Sequence, residues 1–125
     1  MKTVTELIEM ETLLADKDAG IMNQEKDLTT LDAWKKSRFV KLFFYKKIIV
    51  LLPSEEKFNL SQQIRRAAIS STLNIAEGYG RYYYKESVKF YRISRGSLNE
   101  LKDALITCLD LDNISKPLFT RVFYY

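Results

Sequence analysis

Arginine, lysine and tyrosine side chains are the groups in this sequence whose types and spacing indicate chemistry. Cations lie among aromatic residues in two short stretches, GYGRYYYKES at residues 78–87 and KFYRISR at 89–95, and two adjacent arginines stand in a third, QIRRAA at 63–68. Cationic side chains neutralise phosphates, and exposed tyrosine rings stack on unpaired bases. The alternative interpretation is that the tyrosines pack between subunits while the cations stay in solvent, and the pattern leaves both open. The candidate nucleic-acid-binding residues are Arg65, Arg66, Arg81, Tyr82, Tyr83, Lys85, Lys89 and Arg92.

Groups for catalysis or metal binding are sparse. The chain has no histidine, and a single cysteine, Cys108, excludes an intramolecular disulfide and a CxxC metal site. Glu100 and Asp103 are three residues apart and fit one helix face, but no histidine or third acid stands near them in sequence. A catalytic thiol needs a base, and histidine is absent. We therefore expect no enzymatic activity, no metal and no cofactor.

The composition indicates a helical protein that stays in solution. Of the 125 residues, 46% are hydrophobic, which disfavours disorder, while 4 Gly and 2 Pro are few for the turns of an all-β fold. The longest uncharged apolar run, residues 48–52, is far shorter than the ~20 residues that span a bilayer. The N-terminus is acidic, unlike the basic start of a signal peptide. We expect a cytoplasmic protein with no membrane partner.

Charge divides the chain into two parts. Residues 1–32 hold three Lys against eight carboxylates, a net charge of −5, whereas residues 33–125 have a net charge of +9. A basic body attracts polyanions, of which nucleic acid is the commonest. A lysine-rich solvated surface fits the composition equally well. We predict an acidic N-terminal extension over residues 1–26 and a helical domain over residues 27–125.

Apolar residues recur at steps of three or four along most of the chain, which predicts an all-α bundle. In the segment 31–52, Phe39, Phe43 and Tyr45 lie off the main apolar stripe. A helix that is apolar on two sides must bury both. These three residues are therefore a candidate interface, with either a second helix or a partner subunit. The expected helices cover residues 4–17, 31–52, 60–79, 83–111 and 115–125.

Asn74 and Glu77 are polar residues within a segment of mostly small side chains. Glu77 precedes Arg81 by four residues, which is the spacing of an ordinary surface ion pair. If Asn74 and Glu77 instead point inward, they need hydrogen-bond partners on another helix, whose register they would then fix. A structural role is favoured over a catalytic one.

Two long stretches resemble a known family. They are LSQQIRRAAISSTLNIAEGYGR at residues 60–81 and KESVKFYRISRGSLNELKDAL at residues 85–105. Together with DLTTLDAWKKS at 27–37 and LPSEEKFNL at 52–60, they resemble the bacterial four-helix-bundle proteins encoded in intervening sequences of large-subunit (23S) ribosomal RNA genes. The match covers residues 27–114. Distant relatives of that family are the accessory proteins of diversity-generating retroelements, which assist a reverse transcriptase and bind nucleic acid.

The resemblance implies an antiparallel up-down four-helix bundle that assembles into a ring, typically a homopentamer with a basic surface. It implies no established enzymatic activity. Asn74, Glu77, Gly78 and Gly80 would form a structural motif, and the arginines of the matched motif would contact RNA or a partner. The family's recurring positions are Gln63, Arg65, Arg66, Asn74, Glu77, Gly78, Gly80 and Arg81.

Two features depart from the family pattern. Members usually have a full-length fourth helix where this chain has only residues 115–125, and this chain carries an acidic segment before Met22. We expect residues 1–21 either to fold over the basic surface or to replace fourth-helix packing. The leading hypothesis is an oligomeric bundle that binds RNA or single-stranded DNA. The alternative is a protein-interaction adaptor, such as an accessory subunit of a reverse transcriptase.

Overall fold

The computed structural model describes residues 27–123, and every regular element in that range is helical. The first helix, α1, begins at Asp32 and ends at Phe43; the chain continues from it through a π turn, Phe44–Ile48, and a 3-10 turn, Ile49–Leu51. The all-α bundle predicted from the sequence is confirmed, while the helix predicted over residues 4–17 lies outside the described residues. The remaining helices are α2 (Leu60–Tyr79), α3 (Tyr84–Asp110) and α4 (Lys116–Phe123).

Helices α2 and α3 form an antiparallel hairpin along a seam of small residues. The Ser97 hydroxyl donates to the Ser70 hydroxyl oxygen at 2.7 Å, and the Ser94 hydroxyl donates to the carbonyl oxygen of Ser71 at 2.6 Å. Residue numbers along this seam rise in α2 while they fall in α3, so the two helices run in opposite directions. Small side chains let the two backbones approach closely, and the buried hydroxyls of Ser94 and Ser97 both have acceptors, as buried polar groups require.

Gly78 allows the closest approach of α2 to α3. A Cβ added there would lie 2.6 Å from Cε1 of Tyr91 and 3.0 Å from the carbonyl oxygen of Ser87. A glycine near the end of a helix often ends it, but Gly78 lies inside α2. Gly80 is the C-cap, and its N–H donates to the carbonyl oxygen of Ala76 at 3.1 Å.

Two glycine substitutions are expected to have opposite effects on stability. Gly78→Ala forces Tyr91 and the α3 backbone to move, so we expect the free energy of unfolding to fall by about 1–3 kcal/mol. Gly96→Ala fills open space within α3, where nothing lies within 4 Å of the added Cβ. The better helix propensity of alanine should then stabilise by about 0.5–1 kcal/mol. Urea unfolding of both variants measures the difference, and equal effects would contradict the close contact at Gly78.

Helix α1 and the π turn that follows it bury aromatic side chains. Phe39 is 5% exposed and Phe43 is 1% exposed, and both belong to the same core cluster as Phe44 and Ile48. Tyr45 is half-buried against that cluster. The bundle itself covers the rings of Phe39 and Phe43, so a partner interface is wrong for these two residues. Tyr45 is covered only in part, and its place in an interface stays a prediction. Of the two interpretations of this apolar segment, packing within the chain is the one observed for Phe39 and Phe43.

The core lies where α1, α2 and α3 meet, and α4 closes one end of it. Ser115 caps α4, because its hydroxyl oxygen accepts from the N–H of Leu118 at 3.3 Å. Burying an aliphatic or phenyl side chain fully stabilises a fold by ~1.5–3 kcal/mol. The largest fully buried apolar side chains are Phe43, Phe44, Ile48, Ile64, Leu101, Leu105 and Leu118.

Within residues 27–123, no helix has both the length and the apolar character needed to cross a bilayer.

Cys108 is buried in this core, and its thiol should be chemically inert in the folded protein. Burial first, and the charge of Glu56 second, raise the pKa of the Cys108 thiol from its ordinary value of 9.0 to about 11. The reactive species is the thiolate, so we expect a thiol reagent at pH 8 to label the protein only after unfolding. Because an exposed thiol ionises near pH 9 while the folded one stays protonated to about pH 11, Cys108 should also make stability fall as pH rises through that window. Rapid labelling without denaturant would contradict this placement.

Candidate nucleic-acid interface

The turn between α2 and α3 presents three consecutive tyrosines to solvent. Tyr82 is 91% exposed, Tyr83 66% and Tyr84 80%. We call Arg81, Tyr82, Tyr83, Tyr84 and Lys85 together the tyrosine turn. A buried tyrosine normally removes a large apolar area from water, so three exposed rings in a row contribute little to the fold and leave their faces free for another molecule.

Local backbone geometry keeps these rings outward. Helix α2 ends at Tyr79, and the N–H of Arg81 donates to the carbonyl oxygen of Gly78 at 3.3 Å, which closes a last tight turn. Tyr83 is extended, with φ −92° and ψ 133°, and its carbonyl oxygen accepts from the N–H groups of Glu86 and Ser87 at 3.1 Å each. The chain therefore reverses direction around the tyrosines, with both flanking helix ends hydrogen-bonded.

The rings of Tyr82 and Tyr83 contact each other edge to face. Their centroids are 5.1 Å apart and their planes make an angle of 88°. This arrangement is a favoured geometry for aromatic pairs. It leaves Tyr82 projecting into solvent, so an incoming planar group has a ring face on which to stack.

Arg81 holds the turn to the helices. Its guanidinium pairs with Glu77 at 3.0 Å and lies over the ring of Phe90, 4.7 Å from the ring centroid. Cation–π contact and an i,i+4 ion pair each stabilise modestly, by ~0.5–1 and ~0.2–0.5 kcal/mol. Arg81 was predicted to contact nucleic acid; the structure also gives it a positioning contact that joins α2 to α3.

The other predicted cations do not all share this end of the molecule. Lys85, Lys89 and Arg92 are exposed along the beginning of α3. Arg66, by contrast, lies ~20 Å along α2 from Tyr79, where it pairs with Glu100 of α3 at 2.7 Å and donates to the side-chain oxygen of Gln63 at 3.0 Å.

Arg65 is half-buried at the same level of α2 as Arg66. The structure therefore gathers the tyrosine turn and the start of α3, and leaves Arg65 and Arg66 on a separate surface. Tyr84 belongs with the site although it was not among the candidates, and the unbroken run of three tyrosines in the sequence was the signal for it.

Asn74 and Glu77 differ in burial and in their hydrogen-bond partners. Asn74 is half-buried, and its side-chain nitrogen donates to the carbonyl and hydroxyl oxygens of Ser70 at 2.9 Å each. Since Ser70 also accepts from Ser97, Asn74 supports the α2–α3 seam indirectly. Glu77 is exposed and forms the surface pair with Arg81, so the inward orientation is wrong for it.

One lysine is built into the fold instead of facing solvent. Lys41 of α1 donates from Nζ to the hydroxyl of Thr72 in α2 at 3.2 Å. Burial first, and the nearby charge of Arg38 second, lower the pKa of Lys41. Lys41 is thus a contact between α1 and α2 and not part of an exposed basic surface. Within the described part of the chain, no three metal-ligating side chains cluster together.

These features define a small all-α bundle with a helical hairpin whose turn exposes tyrosines beside cations. A protein-family model described as the 23S rRNA-intervening sequence protein matches residues 29–123. The chain belongs to this family, as its resemblance to the rRNA intervening-sequence proteins predicted. A comparison with curated proteins found no match.

Proposed function

We propose that this protein is a non-enzymatic nucleic-acid-binding bundle that engages unpaired bases at the tyrosine turn. The observation that carries the proposal is the solvent exposure of Tyr82, Tyr83 and Tyr84 beside Lys85. Rings that do not pack within the chain are available for stacking, and every base has a π face, so such binding tolerates many sequences.

Charge supports the same placement. Lys85, Lys89 and Arg92 extend from the turn along α3 as exposed cations, suited to contact with a phosphate backbone beyond the stacked bases. Glu86 is the one exposed carboxylate between Lys85 and Lys89. In this arrangement, unpaired bases would contact the tyrosines and the phosphate backbone would contact the cations. A single strand or an RNA loop fits this arrangement better than a closed duplex does.

Fluorescence anisotropy of the full chain tests this proposal. Labelled single-stranded DNA, a structured RNA with an unpaired loop, and a perfect duplex are titrated at several salt concentrations. We expect the first two to bind more tightly than the duplex, and log affinity to fall with log salt at roughly −0.7 to −0.9 per phosphate neutralised. An absence of binding in low salt would refute the proposal.

A second candidate function is a protein-interaction adaptor, and a different surface favours it. Ile69 and Leu73 lie next to one another on the outer face of α2 and are each about half exposed. Apolar side chains side by side on a helix indicate a contact surface. A second copy of the chain, in the ring that the resemblance implied, or an unrelated protein such as a reverse transcriptase would cover this face.

Light scattering coupled to size exclusion distinguishes these partners. A mass near five times 14.7 kDa supports self-assembly, and Leu73→Lys should then reduce that mass. A pull-down from the native host, with and without nuclease, tests the other partner. A protein retained after nuclease treatment supports the adaptor, and associations that all vanish with nuclease contradict it.

A further inference from the structure

An open apolar groove of about 650 Å3 runs between α1 and α3. Ile75 of α2 lies at its floor, and Val122 and Phe123 of α4 line it at one end. On α3 it extends from Tyr91 to Leu105. Fourteen residue steps of an α-helix cover ~21 Å, so the groove is long enough for about four turns of another helix.

The groove combines apolar walls with a basic rim. Val40 of α1 and Leu98 of α3 are half-buried along the walls, although no described element covers them. Lys36, Arg95 and Lys102 are exposed at the edges, and the described lining includes no carboxylate. An occupant that fits this surface has one apolar side and carries negative charge.

We propose that residues 4–17 of the same chain bind in this groove as an amphipathic helix. On a helical projection, Val4, Leu7, Ile8 and Leu14 share one side of that segment. Residues 1–21 contain two lysines against five carboxylates, a net charge of −3. The segment thus has the apolar side and the charge sign that the groove requires.

The acidic residues of the segment match the rim in charge sign. Glu11 lies near the centre of the apolar side, whereas Glu6, Glu9 and Asp16 fall on the opposite side of the helix. With the apolar side in the groove, Glu11 is the carboxylate that enters the groove between its cationic edges at Lys36 and Arg95, and the other three face solvent and contribute through net charge. Opposite charges at the edge of an apolar contact favour one partner over others more than they add raw affinity.

Chain length permits this binding within one molecule. A helix of fourteen residues is ~21 Å long, close to the length of the groove. Ala33, near the beginning of α1, lines the groove. The nine residues 18–26 can span up to ~30 Å when extended, so the segment can fold back onto α1 and α3. A short tether also gives the segment an effective concentration in the ~mM range.

Site-directed photo-crosslinking of the full chain tests this proposal. A benzophenone maleimide is attached at Leu98→Cys, inside the groove, and in a separate protein at Gln62→Cys, on the outer face of α2. Buried Cys108 should remain unlabelled under native conditions. After irradiation, peptide mass spectrometry identifies the linked residues. We expect Leu98→Cys to link to residues 4–17, Gln62→Cys not to do so, and Leu14→Asp to abolish the link.

Mixing 14N- and 15N-labelled protein before irradiation separates links within one chain from links between chains. Links of a single isotope support the proposal. Mixed-isotope links would overturn it in favour of a second copy in the groove. It would also be overturned if Leu98→Cys gave no link to residues 4–17, or if Gln62→Cys gave an equal one. The experiment contains no nucleic acid, so its result is independent of the function proposed above.

Discussion

Replacing Tyr82, Tyr83 and Tyr84 together by alanine should weaken binding to a single-stranded oligonucleotide by at least about tenfold. Each base–aromatic stack stabilises binding by ~1–3 kcal/mol, and ~1.4 kcal/mol corresponds to a factor of ten in affinity. The three rings are mostly in solvent, so the melting temperature should hardly change. Fluorescence anisotropy and circular dichroism on the same preparations measure the two quantities. The salt dependence should be preserved, since the substitution removes no cation.

Phe58 provides the matched control for this variant. It is 81% exposed, with Nζ of Lys57 5.3 Å from its ring centroid, and it lies in the α1–α2 connection at the other end of the bundle. It therefore pairs an exposed ring with a cation but lies outside the tyrosine turn. Phe58→Ala should leave affinity unchanged. Equal losses for the two variants would show that binding is not localised at the tyrosine turn.

The second large effect is expected in the core. Phe43→Ala should lower the free energy of unfolding by about 3–5 kcal/mol, because a phenyl ring that is 1% exposed leaves a cavity behind. Small domains have total stabilities of ~5–15 kcal/mol, so this variant loses a large share. Urea unfolding followed by circular dichroism measures the change.

Val50 is the comparison for Phe43, since it is 65% exposed in the 3-10 turn after the π turn. Val50→Ala should change stability by less than about 0.5 kcal/mol. If Phe43 instead formed an interface with another chain, Phe43→Ala would lower the oligomer mass and leave the stability of the isolated chain unaltered. That result would contradict the burial of Phe43 within the bundle.

Helix boundaries were predictable where the residue that ends a helix acts locally. The predicted boundaries of α2 coincide with the observed helix, Leu60–Tyr79, and Gly80 caps its C-terminal end. The π turn after α1 was not predicted. The spacing of one regular α-helix predicts which side of the helix each of residues 31–52 occupies. Because the π turn is wider than an α-helical turn, it changes the angular position of the residues that follow it. The sides occupied by residues after Phe43 therefore do not follow from the sequence pattern.

The tyrosine turn was largely predictable, whereas the partners of its neighbours were not. Three tyrosines in a row between an arginine and a lysine cannot all face one core, so the sequence indicates that some of them face outward, and it leaves open whether they meet solvent or another subunit. The contacts of Arg81 with Phe90 and of Arg66 with Glu100 depend on how α2 and α3 are aligned. That register is determined by small residues such as Gly78, which sequence periodicity identifies only as apolar or neutral.

The most direct test of the proposed function is to identify which residues touch bound nucleic acid. A single-stranded RNA containing 4-thiouridine is bound to the full chain, irradiated and digested, and the modified residues are located by mass spectrometry. We predict adducts on Tyr82, Tyr83 or Tyr84, with none on Phe58. Adducts confined to Phe58 or to the surface around Arg65 and Arg66, or no adducts under conditions of saturating binding, would contradict the account.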